Sequence, residues 1–348
     1  MNLEYDQIIS ADTETRLGVY NTTAQEIGTT EQNVEKDFWV CWTLDALFNG
    51  LPDGPRLLFK GGTSLSKGFG LISRFSEDID VTVFRDDLGK AASIEDLEEM
   101  SGNRRQKELS AIKSACEDYI TGTFLEGLAR IAHETSVRTG LERGNLYVEP
   151  DPEDKQALFL RYPTATPTDS YIAKAVKIES GAKSALDPNS VRTVQPYLQK
   201  HVPGIDLTVS NITMVNAQRT FWDKIVILHG LRRWFDNRGE LKGNGQRISR
   251  HYYDAYRLMM SLEGQEAAKD SDLGADCVKH ARIFFDRPPF DLASAVSPSF
   301  ALLPEGKMLD DLRSDYAAMS GMIFGEAPDF DRVIEKIAML EKQLNATL

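Results

Sequence analysis

Apolar positions along this chain recur with two different spacings, and the change from one to the other marks out its elements. Across TTEQNVEKDFWVCWTLDALFNG (29–50), Val34, Phe38, Cys41, Trp42 and the run from Leu44 to Phe48 follow helical spacing. The segment opens on threonine, has Glu31 and Gln32 just inside, and closes on Asn-Gly. That combination predicts a first amphipathic helix whose aromatic side chains, Phe38, Trp39 and Trp42, belong to a core. A short strand follows at RLLFK (56–60), then GGTSLSKGFGL as a turn opening a short helix, then the strand IDVTVF (79–84). Residues 92–140 interleave charged and apolar positions as helices do. Three further strands are expected at LYVEP (146–150), ALFLRY (157–162) and YIAKAVKIES (171–180), and another at IDLTVSNITMV (205–215), after the proline-interrupted PNSVRTVQPYLQKHVPG.

From Ala217 the period becomes helical throughout, with helices predicted over 217–234, 249–262, 272–286, 308–322 and 327–346. Between the first two, DNRGELKGNGQRIS (236–249) is rich in glycine and charge and reads as a mobile loop. The pattern therefore predicts an α+β domain over residues 1–216, built on a mixed sheet with flanking helices, followed by a helical domain over 217–348.

Composition limits the function classes. The 348 residues are 41% hydrophobic and 27% charged, an ordinary globular balance. Three cysteines, Cys41, Cys116 and Cys277, lie far apart with no CxxC pair, which points away from a disulfide framework or zinc knuckle and toward a reducing, cytoplasmic setting. The first residues have no basic start leading into an apolar stretch, and no apolar run approaches the ~20 residues of a membrane span, so no membrane association is expected. The net charge of −13 argues against a surface that coats nucleic acid as a whole. Residues 217–257 nevertheless hold nine Lys/Arg against four Asp/Glu, a local +5 that leaves −18 elsewhere, so one basic island could face RNA or simply be a solvated helical surface. Motifs of the HExxH, GxSxG and Cys–His kinds are missing. His229 and His251 show no metal spacing, and His251, beside Tyr252 and Tyr253, reads as a packed or RNA-stacking residue.

The chemistry concentrates in LLFKGGTSLSKGFGLISRFSEDIDVTVF (57–84). Strand side chains alternate, so Asp78 and Asp80 share one face while Ile79 and Val81 point into a core. Two carboxylates on one face repel each other unless water hydrates them at a strand end or a cation lies between them. Mg²⁺ suits the second arrangement, because it takes one or two carboxylates together with substrate phosphates. Gly61 and Gly62 let backbone N–H groups approach a phosphate, Ser64 adds a hydroxyl at the opening of the short helix, and Ser76 falls on the aspartate face if the strand has begun there. Neither GxxxxGK[ST] nor GxGxxG occurs here, so the cradle is not a Walker loop or a dinucleotide fingerprint.

These residues resemble the AbiEii/AbiGii toxin family of nucleotidyltransferases, within the DNA polymerase β-like superfamily. The likeness rests on FKGGTSLSKGFGLISRFSEDIDV (59–81), AKAVKIESGAKS (173–184), RTFWDKIVILHG (219–230) and SRHYYDAYRL (249–258), in that order, together with the KDFWVCWTL helix. It implies a polymerase β-like nucleotidyltransferase domain, with Asp78 and Asp80 holding Mg²⁺, Gly61, Gly62 and Ser64 receiving the triphosphate of an NTP, and Lys60 acting beside them. It further implies Glu179 as a third carboxylate, Lys224 reaching the nucleotide phosphates and Asp254 orienting that lysine or binding a second group. The family's usual arginine in the second motif stands here as Lys183, which puts a bidentate contact there in doubt. From the residues alone, Lys224 is equally a snorkelling lysine, and Asp254 can pair with Arg250 one turn away.

The resemblance also implies the toxin of a two-gene toxin–antitoxin or phage-defence system, neutralised by a cognate antitoxin, with an RNA such as tRNA as acceptor. A rival from another class is a non-enzymatic sensor or partner-binding module that holds GTP or another NTP without transferring it.

Overall fold

The computed structural model describes residues 1–167, 174–245 and 247–346. They divide into two compact units. The first comprises Met1–Gly68, Phe75–Ala92 and Ser101–Val215; the second comprises Phe69–Arg74, Ser93–Met100 and Asn216 onward.

The first unit is built on a seven-stranded mixed sheet: β1 (Leu57–Lys60), β2 (Ile79–Val83), β3 (Tyr147–Pro150), β4 (Ala157–Arg161), β5 (Ala175–Gly181), β6 (Asn189–Val194) and β7 (Val209–Val215). Their order across the sheet is β3-β4-β5-β2-β1-β7-β6. The central strands β1 and β2 pair antiparallel, and each has a parallel neighbour on its other side, β7 for β1 and β5 for β2. Leu58, Phe59, Ile79, Val81 and Val83 are buried, as expected of strands covered on both faces. The strand expected over 171–180 is ordered from Ala175; its residues 171–173 lie outside the described residues.

Helices α1 (Tyr5–Ser10), α2 (Thr13–Ile27), α3 (Glu31–Asp45) and α4 (Gly61–Lys67) belong to this unit, as do two later helices. Thr30 caps α3 by accepting the N–H of Asn33, and the helix ends in a wide turn over Ala46–Gly50, so the predicted 29–50 segment is shorter as a regular helix. Helix α3 packs against β5 and β7. Phe38, Trp39 and Trp42 are buried there as predicted, with Trp39 stacked on Tyr162 at a 5.3 Å centroid distance.

Three elements depart from the sequence expectation. Helices α1 and α2 precede α3 and were not predicted. Few apolar residues of α2 are buried, so its hydrophobic period is faint, although its punctuation is clear: Asp12 accepts the N–H of Thr15 and Gly28 ends the helix in the left-handed region. The proline-interrupted stretch contains strand β6, which pairs with β7 alone. A sheet-edge strand can sit between Pro188 and Pro196 because one of its sides makes no ladder.

In the second unit, α5 (Ile94–Glu99) opens with a Ser93–Asp96 capping box. In the first, α6 (Gly102–Tyr119) and α7 (Leu125–Thr139) join through a widened turn with a kink at Gly122. The remainder of the second unit is α8 (Ala217–Arg238), α9 (Ser249–Met259), α10 (Leu262–Ala267), α11 (Ser271–Phe284), α12 (Lys307–Met319) and α13 (Phe330–Ala346). Helix α8 packs against α9, α10 and α11, and α9 also against α12 and α13. The single helix predicted over 249–262 is two, because Ser261 caps α10 by accepting the N–H of Gly264.

Candidate active site

The sheet register assembles the carboxylate site of the first unit. Lys60, the last residue of β1, lies directly opposite Asp80 on β2, and Asp80 lies beside Glu179 on β5. The Lys60 ammonium stands 3.6 Å from Asp80 Oδ1. Asp78 comes just before β2 begins, and Ile79 and Val81 between and beyond the two aspartates are fully buried. Burial, then the charges of Glu77 and Glu179, push the Asp78 carboxyl up to about 6, with Lys36 acting in the opposite sense. Carboxylates are thus crowded here beyond what the neighbouring lysines relieve.

The glycine turn is locked to that pair. Gly61 has φ +81°, in the region that favours glycine, and a Cβ on it would fall 2.1 Å from Asp80 Oδ2. Helix α4 starts at this residue, so the opening of the helix and the Asp80 carboxylate meet in van der Waals contact. Gly68, past the other end of α4, is required for a different reason: a Cβ there would meet Met214 Sδ at 2.2 Å. Ser64 is buried, and its hydroxyl donates to the carbonyl of Gly61 at 2.9 Å, so its proton is spent within the helix. Ser76 lies outside the strand, which begins at Ile79. Its Oγ is 2.8 Å from the hydroxyl of Thr63, and that hydroxyl is also 2.5 Å from the Asp78 carbonyl oxygen. Ser64 and Ser76 therefore brace the turn from within.

Glu179 pairs with Lys177 at 3.1 Å, and Lys177 also reaches Asp151 at 3.3 Å, so Lys177 and Glu179 share a face. Among the described residues no three His, Cys, Asp or Glu side chains are gathered closely enough to hold a metal by themselves; Glu179 lies on the strand next to Asp80. The donor set that is present consists of hard carboxylate oxygens on Asp78 and Asp80, with Lys60 beside the latter. It fits a divalent cation of the Mg²⁺ kind, which completes its shell with water and phosphate oxygens.

The second unit holds another charged cluster. Asp254 of α9 is fully buried and receives Arg74 through two bonds, 2.7 and 2.9 Å, and Lys224 of α8 at 2.8 Å. Burial alone would raise the Asp254 carboxyl, but Arg74 and Lys224 outweigh it and hold it well below the usual carboxylate range. Lys224 also stands 3.3 Å from His251 Nδ1. Burial and the charges of Lys224 and Arg250 keep the His251 imidazole far below its ordinary pKa, so the ring is neutral and accepts from the ammonium. Asp254 takes Arg74 and Lys224 as its partners in place of the Arg250 pairing offered by helical spacing. The apolar body of Lys224 is buried, but its head is held rather than snorkelling to water.

A family model for the nucleotidyl transferase AbiEii toxin of type IV toxin–antitoxin systems matches residues 42–336. The chain belongs to this family. As an AbiEii member it is a nucleotidyltransferase; parts of its first two motifs lie on β1, β2 and β5, and the other two on α8 and α9. Among solved structures, MenT4, a nucleotidyltransferase toxin (Rv2826c) from Mycobacterium tuberculosis H37Rv, is similar over 94% of this chain and 90% of its own, with 14% identity and a TM-score of 0.47. No curated protein matches the sequence.

Sequence reasoning missed Arg74 and three consecutive charged residues of α3 in this AbiEii chain. Glu35, Lys36 and Asp37 are all buried. Glu35 accepts the N–H of Ala165 and the hydroxyls of Thr164 and Thr166; Lys36 donates to Glu77; Asp37 accepts from Lys67 and from the N–H of Tyr197. The signal was available: three charges sit inside an otherwise apolar aromatic helix, which exposes such residues unless partners are waiting.

The basic island also changes meaning. Arg219 pairs with Asp223 and Asp276, Lys224 with Asp254, Arg232 with Asp236 and Glu305, and Arg233 with Asp236 and Asp291. Three of these acids lie beyond residue 257, so the local excess of positive charge is partly cancelled in the fold. No helix among the described residues is long and apolar enough to cross a membrane, and the three cysteines are free and buried.

Proposed function

We propose that this AbiEii nucleotidyltransferase moves a nucleotide from an NTP to a hydroxyl of RNA, with tRNA as the expected acceptor. On this reading it acts in the cytoplasm as the toxin of a toxin–antitoxin or phage-defence system and is restrained by a cognate antitoxin. The observation that carries the reading is the contact between the Gly61 turn and Asp80, because it sets a side-chain-free turn at a helix opening directly against a hard carboxylate. Residues 1–216 supply the nucleotidyltransferase domain and 217–348 the helical domain.

Asp78 and Asp80 would hold Mg²⁺, which when bound neutralises triphosphate charge and aligns the phosphates. Around it, the chain does the positioning. The N–H groups of Gly61 and Gly62 face the phosphates, while Ser64 and Ser76 fix the turn's shape from inside. Lys60, poised beside Asp80, offsets charge on the leaving pyrophosphate. Glu179, paired with Lys177, orients the attacking hydroxyl. In the second unit Lys224, fixed by Asp254, carries positive charge for phosphate. Such catalysis is largely electrostatic and positional.

The test is incubation of the purified protein with each labelled NTP, Mg²⁺ and total RNA. Label incorporated into RNA supports transfer; NTP binding with no incorporation favours the sensor reading.

A further inference from the structure

The Lys36 ammonium is 2% exposed and lies 2.6 Å from Glu77 Oε2, and Glu77 immediately precedes Asp78. Desolvating a lysine is costly unless a partner repays it, and a neutral pair of similar size would usually serve folding as well. The position of this pair therefore calls for an explanation other than stability. Lys36 issues from α3, whose next residue, Asp37, anchors Lys67 at the far end of α4 at 2.7 Å. The helix α4 so anchored begins at Gly61. One helix thus grips both the segment leading into the aspartate pair and the helix that carries the glycine turn.

Left unanchored, Glu77 would be another carboxylate next to the pair, able to swing toward any cation held there and to pull Asp78 out of line. We propose that Lys36 is a positioning residue of the nucleotidyl-transfer site, holding Glu77 aside and fixing the chain at residues 77–78 so that Asp78 and Asp80 present their oxygens together to the divalent cation. This rests on the reading of Asp78 and Asp80 as the metal pair. Lys36 itself touches neither substrate nor metal. Its role resembles that of outer partners in metal sites, whose loss typically costs about 10–100-fold in metal affinity.

Lys36→Met alone would take the counter-charge from the half-buried Glu77 carboxylate. The decisive variant is therefore the double Lys36→Met/Glu77→Gln, which removes both charges and keeps the site's net charge, with Lys36→Arg as the conservative comparison. Mn²⁺ serves as the probe, its binding to the full chain followed by the electron paramagnetic resonance of the free ion, without NTP. Thermal unfolding reports the fold. The proposal expects a cooperatively folded double variant whose Mn²⁺ dissociation constant is raised about tenfold or more, and Lys36→Arg within about threefold of wild type. A folded double variant that binds Mn²⁺ as wild type does would overturn it, since the pair would then serve folding alone. The failure of the underlying reading looks different: wild type and Asp80→Asn would bind Mn²⁺ equally, and both proposals would fall together.

Discussion

Gly61 and Asp80 are in direct contact, backbone against carboxylate, so closely that a single added carbon at Gly61 would overlap Asp80 Oδ2 at 2.1 Å. The glycine is fixed twice over, by its φ of +81° and by the absence of room. Gly61→Ala is expected to push Asp80 out of register with Lys60 and Glu179. Loss of a positioned charge at such a site costs about 10²–10³-fold in rate, whereas the strain of a non-glycine residue at this backbone angle costs about 1–3 kcal/mol of stability. Transfer assays alongside urea unfolding would reveal activity falling far more than stability; equal activity in the two proteins would contradict the contact's importance.

Asp254→Asn keeps the shape of the buried side chain but leaves Arg74 and Lys224 facing a neutral amide. Removing one partner of a buried ion cluster costs about 3–5 kcal/mol. Denaturant unfolding of the variant should show a loss of that order. A change below about 1 kcal/mol would mean that Arg74 and Lys224 find compensation elsewhere.

Mild acid should take from the fold the contribution of His229. His229 is fully buried; its Nδ1 accepts the N–H of Ala301, so its proton sits on Nε2, 3.2 Å from the Asp291 carbonyl oxygen. Burial, then the charge of Arg233, lower its pKa against the opposing bond to Asp291. A base whose folded pKa is depressed contributes in full above its unfolded pKa of ~6.5 and loses that contribution as pH falls below it toward the folded value. Asp254, a depressed carboxyl, adds its own loss only below the ordinary carboxylate pKa of ~3.9. Between pH 7 and 5 the raised Asp78 carboxyl gains on acidification and the depressed His251 adds its own loss, so the share of His229 is read by difference: thermal midpoints across pH 7 to 5 should fall less, or rise more, in His229→Asn than in wild type. Parallel pH profiles in the two proteins would show that His229 does not contribute.

RNA binding should depend on salt only modestly. Of the nine cations in residues 217–257, Arg219, Lys224, Arg232 and Arg233 are already paired with carboxylates. The remaining five could neutralise at most about five phosphates, so a logarithmic plot of affinity against salt should be no steeper than about −4. A steeper slope would require a phosphate footprint on another face.

Much of this was legible in the chain because it follows short-range rules. The DID spacing at the opening of β2 flagged the two carboxylates, and the alternation of Ile79 and Val81 announces which face of the strand is buried. The glycine doublet before α4 was equally plain, but its reason was not: that Gly61 makes room for Asp80 depends on the antiparallel register of β1 and β2, a non-local fact. Ser64 and Ser76 were read as facing the ligand, since a hydroxyl's direction cannot be told from its place in a motif; both turn inward. For Asp254 the sequence offered Arg250 by spacing and Lys224 by resemblance; the structure pairs it with Lys224 and adds Arg74 from 180 residues earlier. Pairing across such a separation leaves no periodic trace. Strand β6 was hidden because its exposed side and flanking prolines look like a loop until β7 is beside it.

The central claim is that Asp80 belongs to the chemistry of transfer and not merely to the fold. Its most direct test is the initial rate at which purified Asp80→Asn moves labelled nucleotide into RNA, compared with wild type at matched folded concentration. The account predicts a loss of about 10³-fold with unfolding unchanged to within about 1 kcal/mol. A variant that transfers label at the wild-type rate would contradict it.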